Sequence, residues 1–232
     1  MTPPLPQDLA ALAAGGKRAL AGALCALETA AADPRLAALL DEALASPRGM
    51  AIGLTGPPGV GKSTLVNAMI ARLRARGDTV AVIAVDPSSR RSGGALLGDR
   101  TRIETDPEDS GVFLRSMAAR DRLGGLAAIS FPAMVLMRAL FDLVIVETVG
   151  VGQSETEIAE AADLVVLCVQ PGSGDALQFM KAGVMETPDV VLVTKGDVGA
   201  AARRAKADVK GALSLAAGDG PAAAVAVVSA AT

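Results

Sequence analysis

Residues 50–64, which read MAIGLTGPPGVGKST, decide the fold of this chain. The apolar run 50–54 is typical of a buried strand, and residues 63–76 have a helical pattern. Between them, Gly56, Gly61, Lys62 and Ser63 match the pattern G-x-x-x-x-G-K-[ST]. In this setting the glycines let successive backbone N–H groups point at phosphate oxygens, and the helix N-terminus adds its dipole. The sequence therefore predicts a nucleoside triphosphate site, in which Lys62 supplies positive charge and Ser63 offers a hydroxyl to Mg²⁺.

The residues of this loop that we assign to nucleotide binding are Gly56, Gly59, Val60, Gly61, Lys62, Ser63 and Thr64.

Outward from the loop, short apolar runs alternate with helical stretches. The runs are 80–85, 143–146, 164–169, 190–193 and 224–228, and the helical stretches include 123–140 and 177–184. Apolar runs without in/out alternation, separated by helices, are typical of a parallel sheet covered on both faces. We therefore expect an α/β fold of the P-loop NTPase type, with a mostly parallel central sheet and helices on both faces.

Two amphipathic stretches precede the first strand. Residues 7–28 have leucines at helical spacing with a break at Gly15-Gly16, and a second helix should begin at Asp33-Pro34 and end at Ser46-Pro47. These stretches predict a short N-terminal helical element, residues 1–48, followed by a nucleotide-binding domain at 49–232.

The composition excludes several classes of function. A net charge of −3 offers no broad basic surface, so we expect neither a nucleic-acid nor a membrane partner. The chain contains no His, which removes His-based catalysis and most zinc sites. Cys25 and Cys168 lie in apolar runs and are expected to pack in the core. Because we find no signal peptide or membrane-spanning run, we expect a cytoplasmic protein.

A second motif predicts which base is bound. Thr194-Lys195-Gly196-Asp197 follows the run 190–193 and resembles the [NT]-K-x-D motif of GTPases. The Asp197 carboxylate can accept from both N1–H and the 2-amino group of guanine, which adenine cannot match, and the Lys195 stem can lie along the base plane. Ser229-Ala230 resembles the loop whose backbone contacts guanine O6. Thr194 stands where Asn is commoner, so we expect that side chain's contact to the phosphate loop to be lost.

Carboxylates at strand ends supply candidates for metal binding and hydrolysis. Asp86 follows the run 80–85, Asp99 lies in the segment after it, and Glu147 ends the run 143–146 ahead of Gly150. Glu147 and Gly150 resemble the D-x-x-G element that senses the γ-phosphate. Carboxylates beside a phosphate loop can hold Mg²⁺ through water or orient the attacking water. The predicted metal site is Ser63, Asp86, Asp99 and Glu147.

Several segments together resemble one family. Residues 86–89, 93–102, 123–127, 146–155 and 171–175 match the MeaB/ArgK/MMAA GTPases, which belong to the SIMIBI group of P-loop proteins. The resemblance implies a metallochaperone for adenosylcobalamin-dependent acyl-CoA mutases, chiefly methylmalonyl-CoA mutase. Binding of GTP with Mg²⁺, and its hydrolysis to GDP, would gate delivery and protection of the cobalamin.

The resemblance also implies roles for individual residues. Asp86 and Asp99 would lie in a first switch and Glu147 in a second. Asp175, Gln178 and Lys181 would form a third switch, where Ala176 departs from the acidic residue that is frequent in the family. The implied catalytic set is Lys62, Asp99, Glu147 and Lys181. Relatives continue into a C-terminal dimerisation arm, which we expect to be absent from a chain ending at Thr232, so that homodimerisation is left open.

Other functions remain as alternatives. An ATP-using kinase or transport-associated ATPase of the ArgK type would require that Asp197 does not face guanine. A module that binds nucleotide with negligible hydrolysis fits the same motifs. A nickel-insertion GTPase of the same fold group is disfavoured, since the chain has no His and no paired Cys.

Overall fold

The computed structural model describes residues 5–29, 33–87, 103–119, 129–148, 154–172, 188–216 and 223–230. The strands in these residues are β1 (Met50–Thr55), β2 (Val80–Pro87), β3 (Val112–Ala119), β4 (Leu143–Glu147), β5 (Leu164–Val169), β6 (Val190–Val193) and β7 (Ala224–Val227). They form one sheet in the order β3-β2-β4-β1-β5-β6-β7. Every ladder between them is parallel, which confirms the predicted fold class.

The helices of the described residues are α1 (Leu9–Ala14), α2 (Gly16–Thr29), α3 (Pro34–Ala45), α4 (Lys62–Ala75), α5 (Ser130–Leu140), α6 (Ser154–Ala161) and α7 (Ala200–Ala216). The predicted stretch 63–76 corresponds to α4. Of the predicted stretch 123–140, α5 covers the end, and the first residues lie outside the described ranges, as does the whole of 177–184. None of the described helices combines the length and the apolar composition needed to span a bilayer.

One strand is missing from the sequence prediction. β3 reads VFLRSMAA, and its Arg115 and Ser116 interrupt the apolar run that marks the other strands. The Arg115 guanidinium pairs with Glu28 of α2 at 2.7 Å. Because β3 is an edge strand, a charged side chain can be accommodated there by a partner on the neighbouring helix.

Successive side chains of β2 divide the core between the two faces of the sheet. Val80, Val82 and Ala84 pack in a cluster with Leu65, Val66 and Ile70 of α4. The alternate residues Ala81, Ile83 and Val85 pack in a second cluster with α5 and the N-terminal helices. Since side chains alternate across a strand, α4 covers one face and α5 the other. The helices on both faces therefore agree with the prediction.

The N-terminal helices are part of the second cluster. The break at Gly15-Gly16 separates α1 from α2 as predicted, with Gly16 at φ 58°. Asp33 caps α3 by accepting from the N–H of Arg35 at 2.9 Å, with Pro34 in the first turn. The side chains of Leu12, Leu24 and Leu36 are fully buried in the cluster that α5 shares. Division of the chain at residue 48 remains a prediction, although the helices before it share a core with the sheet.

Leu24→Ala should lower the free energy of unfolding by roughly 2–5 kcal/mol, because it opens a cavity where the side chain is fully buried. Leu44→Ala is the matched control, since Leu44 lies on α3 with 61% of its surface exposed and should change stability by less than about 0.5 kcal/mol. Urea denaturation followed by circular dichroism measures both values. Equal stabilities for the two variants would contradict a core shared with the N-terminal helices.

Candidate nucleotide-binding site

The candidate site lies at the carboxyl ends of the central strands. β1 is hydrogen-bonded to β4 on one side and to β5 on the other, and β6 follows β5. The segments after these four parallel strands therefore emerge at the same edge of the sheet, where ligands of such folds bind. They are the segments that carry the predicted phosphate, metal and base residues.

The phosphate loop is a turn built on glycine. Gly56, Gly59 and Gly61 have φ angles of 134°, 78° and 101°, which side chains with a Cβ rarely adopt. A Cβ on Gly56 would stand 2.3 Å from the carbonyl oxygen of Cys168 in β5. Gly61 is the N-cap of α4, and no side chain in the described part of the chain caps that first turn. The N-terminal N–H groups of α4 thus face the loop, as anion binding requires.

Lys62 directs its ammonium group back over this loop. Its Nζ donates to the carbonyl oxygens of Gly56 at 2.6 Å and Pro57 at 3.2 Å, and only 7% of the residue is exposed. The loop therefore carries a fixed positive charge. Behind it, burial raises the pKa of the Cys168 thiol to about 12, although the Lys62 ammonium opposes this. Cys168 packs in the core as predicted, while Cys25 is only half-buried.

Ser63 and Glu147 come together as the sequence predicts for a metal site. The Ser63 hydroxyl donates to Oε1 of the buried Glu147 at 3.0 Å, since β4 lies beside β1 with Leu54 and Glu147 in register. The described residues hold no group of three or more His, Cys, Asp or Glu that could bind a metal. A hydroxyl and one carboxylate fit Mg²⁺ because that ion commonly takes its remaining ligands from phosphate and water.

Thr148 is a feature of the site that the sequence reasoning missed. It follows Glu147 directly, and its N–H donates to the carbonyl oxygen of Leu54 at 3.0 Å. Its hydroxyl donates to that of Thr55 at 3.1 Å, and both side chains are buried. The residue after Glu147 is thereby fixed to the residue before the phosphate loop. The sequence signal that could have identified this residue is a Thr directly after the acidic residue that ends a strand.

The expectation for Thr194 is wrong. Its hydroxyl lies 2.7 Å from the carbonyl oxygen of Val60 and 3.0 Å from that of Val169. The single proton of the hydroxyl can be donated to either of these oxygens. Contact with the phosphate loop is thus retained without Asn. The physical reason is proximity, because Thr194 is buried at the end of β6 and its short side chain reaches the loop from there.

Lys195 and Asp197 follow in the same loop. Lys195 has φ 54°, and its Nζ donates to the carbonyl oxygen of Gly59 at 3.2 Å and to Oε1 of Gln170. The Ser229 hydroxyl donates to Oδ1 of Asp197 at 3.3 Å. The residues of the predicted base-reading motif therefore meet both the phosphate loop and the segment after β7.

A cavity of about 110 Å³ lies between these two loops. It is lined by Val60, Gly61, Thr64, Leu65, Thr194, Lys195, Asp197, Val228 and Ala230. A larger cavity of about 710 Å³ adjoins β3, but no residue of the phosphate loop lines it, so volume alone would misplace the site. The small cavity joins the predicted phosphate and base residues.

The remaining predicted residues are described in part or not at all. Asp86 lies within β2, paired with Ala118 of β3 and two residues beyond the last β2–β4 pair, and only its backbone is described. The predicted site residues outside the described ranges are Asp99, Gly150, Asp175, Gln178 and Lys181.

Comparison with known proteins identifies relatives of this arrangement. A family model described as "Methylmalonyl Co-A mutase-associated GTPase MeaB" matches residues 20–231. A Pyrococcus abyssi protein that carries the provisional name of GTPase is 51% identical over 147 residues, which cover 63% of this chain and 45% of that protein. The mouse protein named methylmalonic aciduria type A homolog, mitochondrial, is 42% identical over 167 residues, covering 71% of this chain and 40% of that protein.

Solved structures show the same fold. The crystal structure of an LAO/AO transport system kinase is 31% identical, covers 96% of this chain and 68% of that one, and gives a TM-score of 0.70. HypB from Helicobacter pylori in complex with nickel is 18% identical, with 85% and 86% of the two chains covered and a TM-score of 0.61, so this likeness concerns the fold alone.

The chain spans less than half the length of the Pyrococcus and mouse relatives. Within its own length, however, the family match runs from residue 20 to residue 231. The phosphate loop, the Ser63–Glu147 pair and the Thr194–Asp197 loop all fall inside that range, and the chain belongs to the MeaB family of methylmalonyl-CoA mutase-associated GTPases.

Proposed function

We propose that this protein binds GTP with Mg²⁺ and hydrolyses it to GDP and phosphate. The observation that carries the proposal is the cavity shared by the phosphate loop and the base-reading loop, since one nucleotide can engage both. Gly61 and Thr64 line it from the phosphate side, and Asp197 and Ala230 line it from the base side. The description of the family as GTPases supports the same activity.

The selectivity for guanine would come from Asp197. Asp197 lines the cavity, and one oxygen of its carboxylate accepts from the Ser229 hydroxyl at 3.3 Å. Guanine offers two hydrogen-bond donors to a carboxylate. Adenine offers no such pair, so its binding would bury the carboxylate without donors, at a cost in binding free energy of roughly 1–3 kcal/mol or more. Lys195 lines the same cavity, where its stem can lie along the base plane.

Hydrolysis would proceed by in-line attack of water on the γ-phosphate. The Lys62 ammonium and the N–H groups at the start of α4 would stabilise the charge that develops on the phosphate oxygens. Mg²⁺ would be held by the Ser63 hydroxyl and, directly or through water, by Glu147, and would neutralise phosphate charge. The Ser63 hydroxyl donates its proton to Glu147 Oε1, so its oxygen lone pairs remain available to hold Mg²⁺.

Further residues are assigned to this reaction by proposal. Asp86 and Asp99 would contribute to the metal site from the first switch, and Gly150 would contact the γ-phosphate. Lys181 would act in the third switch. The backbone position of Asp86, two residues beyond the β2–β4 pair of Ala84 and Glu147, supports its part in this assignment.

The partner we propose is an adenosylcobalamin-dependent acyl-CoA mutase. The family description names methylmalonyl-CoA mutase, and the mouse relative is named for methylmalonic aciduria. In this role the GTP and GDP states would differ in affinity for the mutase and so gate delivery of the cobalamin, since a nucleotide shifts an equilibrium only by its differential affinity for the two states.

An ATP-using kinase remains the second candidate, favoured by one observation. The solved structure that is 31% identical is that of a protein named as a transport system kinase. The two functions differ in the base that Asp197 would face, and the effect of substituting Asp197 on nucleotide preference distinguishes them.

Lys62→Ala should weaken GTP binding by about 100-fold or more, because it removes the charge-assisted contact to the phosphates. Titration calorimetry with GTP and Mg²⁺ measures the affinity. Lys210→Ala is the matched control, since Lys210 is exposed on α7, and it should bind GTP like the wild type. An unchanged affinity of Lys62→Ala for GTP would contradict the assignment of the phosphate loop.

Asp197→Asn should weaken GTP binding on the order of 100-fold and improve binding of xanthosine triphosphate, whose 2-oxo group accepts from the new amide. Competition binding of GTP, ATP and xanthosine triphosphate measures the preference. Asp208→Asn, on the exposed side of α7, is the control. A preference of the wild type for ATP would favour the kinase, and a preference unaffected by Asp197→Asn would refute its base-reading role.

Addition of an adenosylcobalamin-dependent methylmalonyl-CoA mutase should raise the steady-state rate of GTP hydrolysis several-fold, on the expectation that a partner orders the catalytic groups. Phosphate release with and without mutase measures the effect. The rate of Lys181→Ala should change little on addition of mutase. Equal stimulation of both proteins would contradict the role of Lys181, and no stimulation would contradict the partner.

A further inference from the structure

We propose that Gln170 is a positioning residue for Lys195 and thereby sets how long a guanine nucleotide stays bound. The inference rests on the proposed function and adds to it a residue that belongs to none of the sequence motifs. Gln170 follows β5 directly, and β5 lies between β1, which leads into the phosphate loop, and β6, which leads into the base-reading loop.

The contact itself joins three segments. Gln170 is half-buried, and its side-chain oxygen accepts from Nζ of Lys195. The same ammonium donates to the carbonyl oxygen of Gly59, 3.2 Å away in the phosphate loop. A lysine that begins in the base-reading loop is therefore held at its far end by both the phosphate loop and the segment after β5.

The backbone of Lys195 shows that this position is strongly determined. It is left-handed at φ 54°, and no other residue with a Cβ in the described ranges has a positive φ. Left-handed backbone is unfavourable for such residues and persists where the surroundings fix it. Thr194 on one side is buried and hydrogen-bonded to Val60, which fixes the entry to this turn.

The consequence for binding concerns conformational entropy. A lysine on the surface has four rotatable side-chain bonds and loses much of their freedom when its stem is pressed against a base. Two acceptors at the ammonium end already restrict the side chain of Lys195, a residue that lines the 110 Å³ cavity. Binding then costs less ordering, and such preorganisation is seen mainly as slower dissociation. Loss of the Gln170 acceptor should return freedom to Lys195.

The test compares two substitutions that differ in one property. Gln170→Leu has a similar size but offers no acceptor, whereas Gln170→Glu keeps an acceptor oxygen and adds a charge opposite to that of Lys195. We expect Gln170→Leu to raise the dissociation rate of fluorescent GDP and the KM for GTP by about 3- to 10-fold with kcat unchanged. Gln170→Glu should stay within about twofold of the wild-type values or bind more tightly.

A double-mutant cycle with Lys195→Met separates this role from a merely structural one. In the Lys195→Met background, Gln170→Leu should have no further effect on dissociation, because the residue acts through the ammonium group. The inference is overturned if Gln170→Leu dissociates GDP at the wild-type rate, if Gln170→Glu behaves like Gln170→Leu, or if the Gln170→Leu effect persists without Lys195. A wild-type protein that binds no guanine nucleotide would overturn the proposed function instead.

Discussion

The close approach of Gly56 to the carbonyl oxygen of Cys168 is the constraint on which this site depends. With only 2.3 Å available for a Cβ, the chain can leave β1 only through a glycine. The exit at φ 134° starts the turn that brings the Lys62 ammonium back onto the Gly56 and Pro57 carbonyl oxygens and opens α4 toward the loop. The shape of the loop that we propose to bind phosphate is thus a consequence of how tightly β1 and β5 lie together.

The phosphate loop is also fixed from its neighbours. Thr194 donates toward Val60 from the end of β6, and Lys195 donates to Gly59. On the other side, the buried hydroxyl pair of Thr148 and Thr55 joins the end of β4 to the end of β1. The Thr194 and Thr148–Thr55 hydrogen bonds are buried, where exclusion of water strengthens them, so the ends of β1, β4 and β6 are held together around the loop.

Much of this arrangement could be predicted because apolar runs and turn-forming glycines mark it in the sequence. Parallel strands buried on both faces lack alternation, and glycines mark the loop, so six strands and the turn after β1 were accessible. β3 was not, since Arg115 breaks its run, and Glu28, with which Arg115 pairs, is distant in sequence. The prediction for Thr194 was wrong for a related reason. The contact of its hydroxyl with Val60 depends on the pairing of β6 with β5, which no local sequence pattern encodes.

The segment carrying Asp99 begins and ends at anchored points. Before it, β2 ends at Pro87, which pairs with Ala119 of β3, and after it Ile103 is buried in the cluster that includes residues of α4. The next residue donates its N–H to Asn67 of α4 at 3.1 Å. Further along α4, the Arg74 guanidinium pairs with Asp109 at 2.9 Å and holds the pKa of that carboxyl below its usual range.

Since α4 itself starts at Lys62, the helix that presents the phosphate loop also fixes the far end of this segment. A displacement of α4 at the phosphate site would therefore reach Glu104 and Asp109 through the contacts of Asn67 and Arg74, which is the kind of physical connection that the proposed first switch requires.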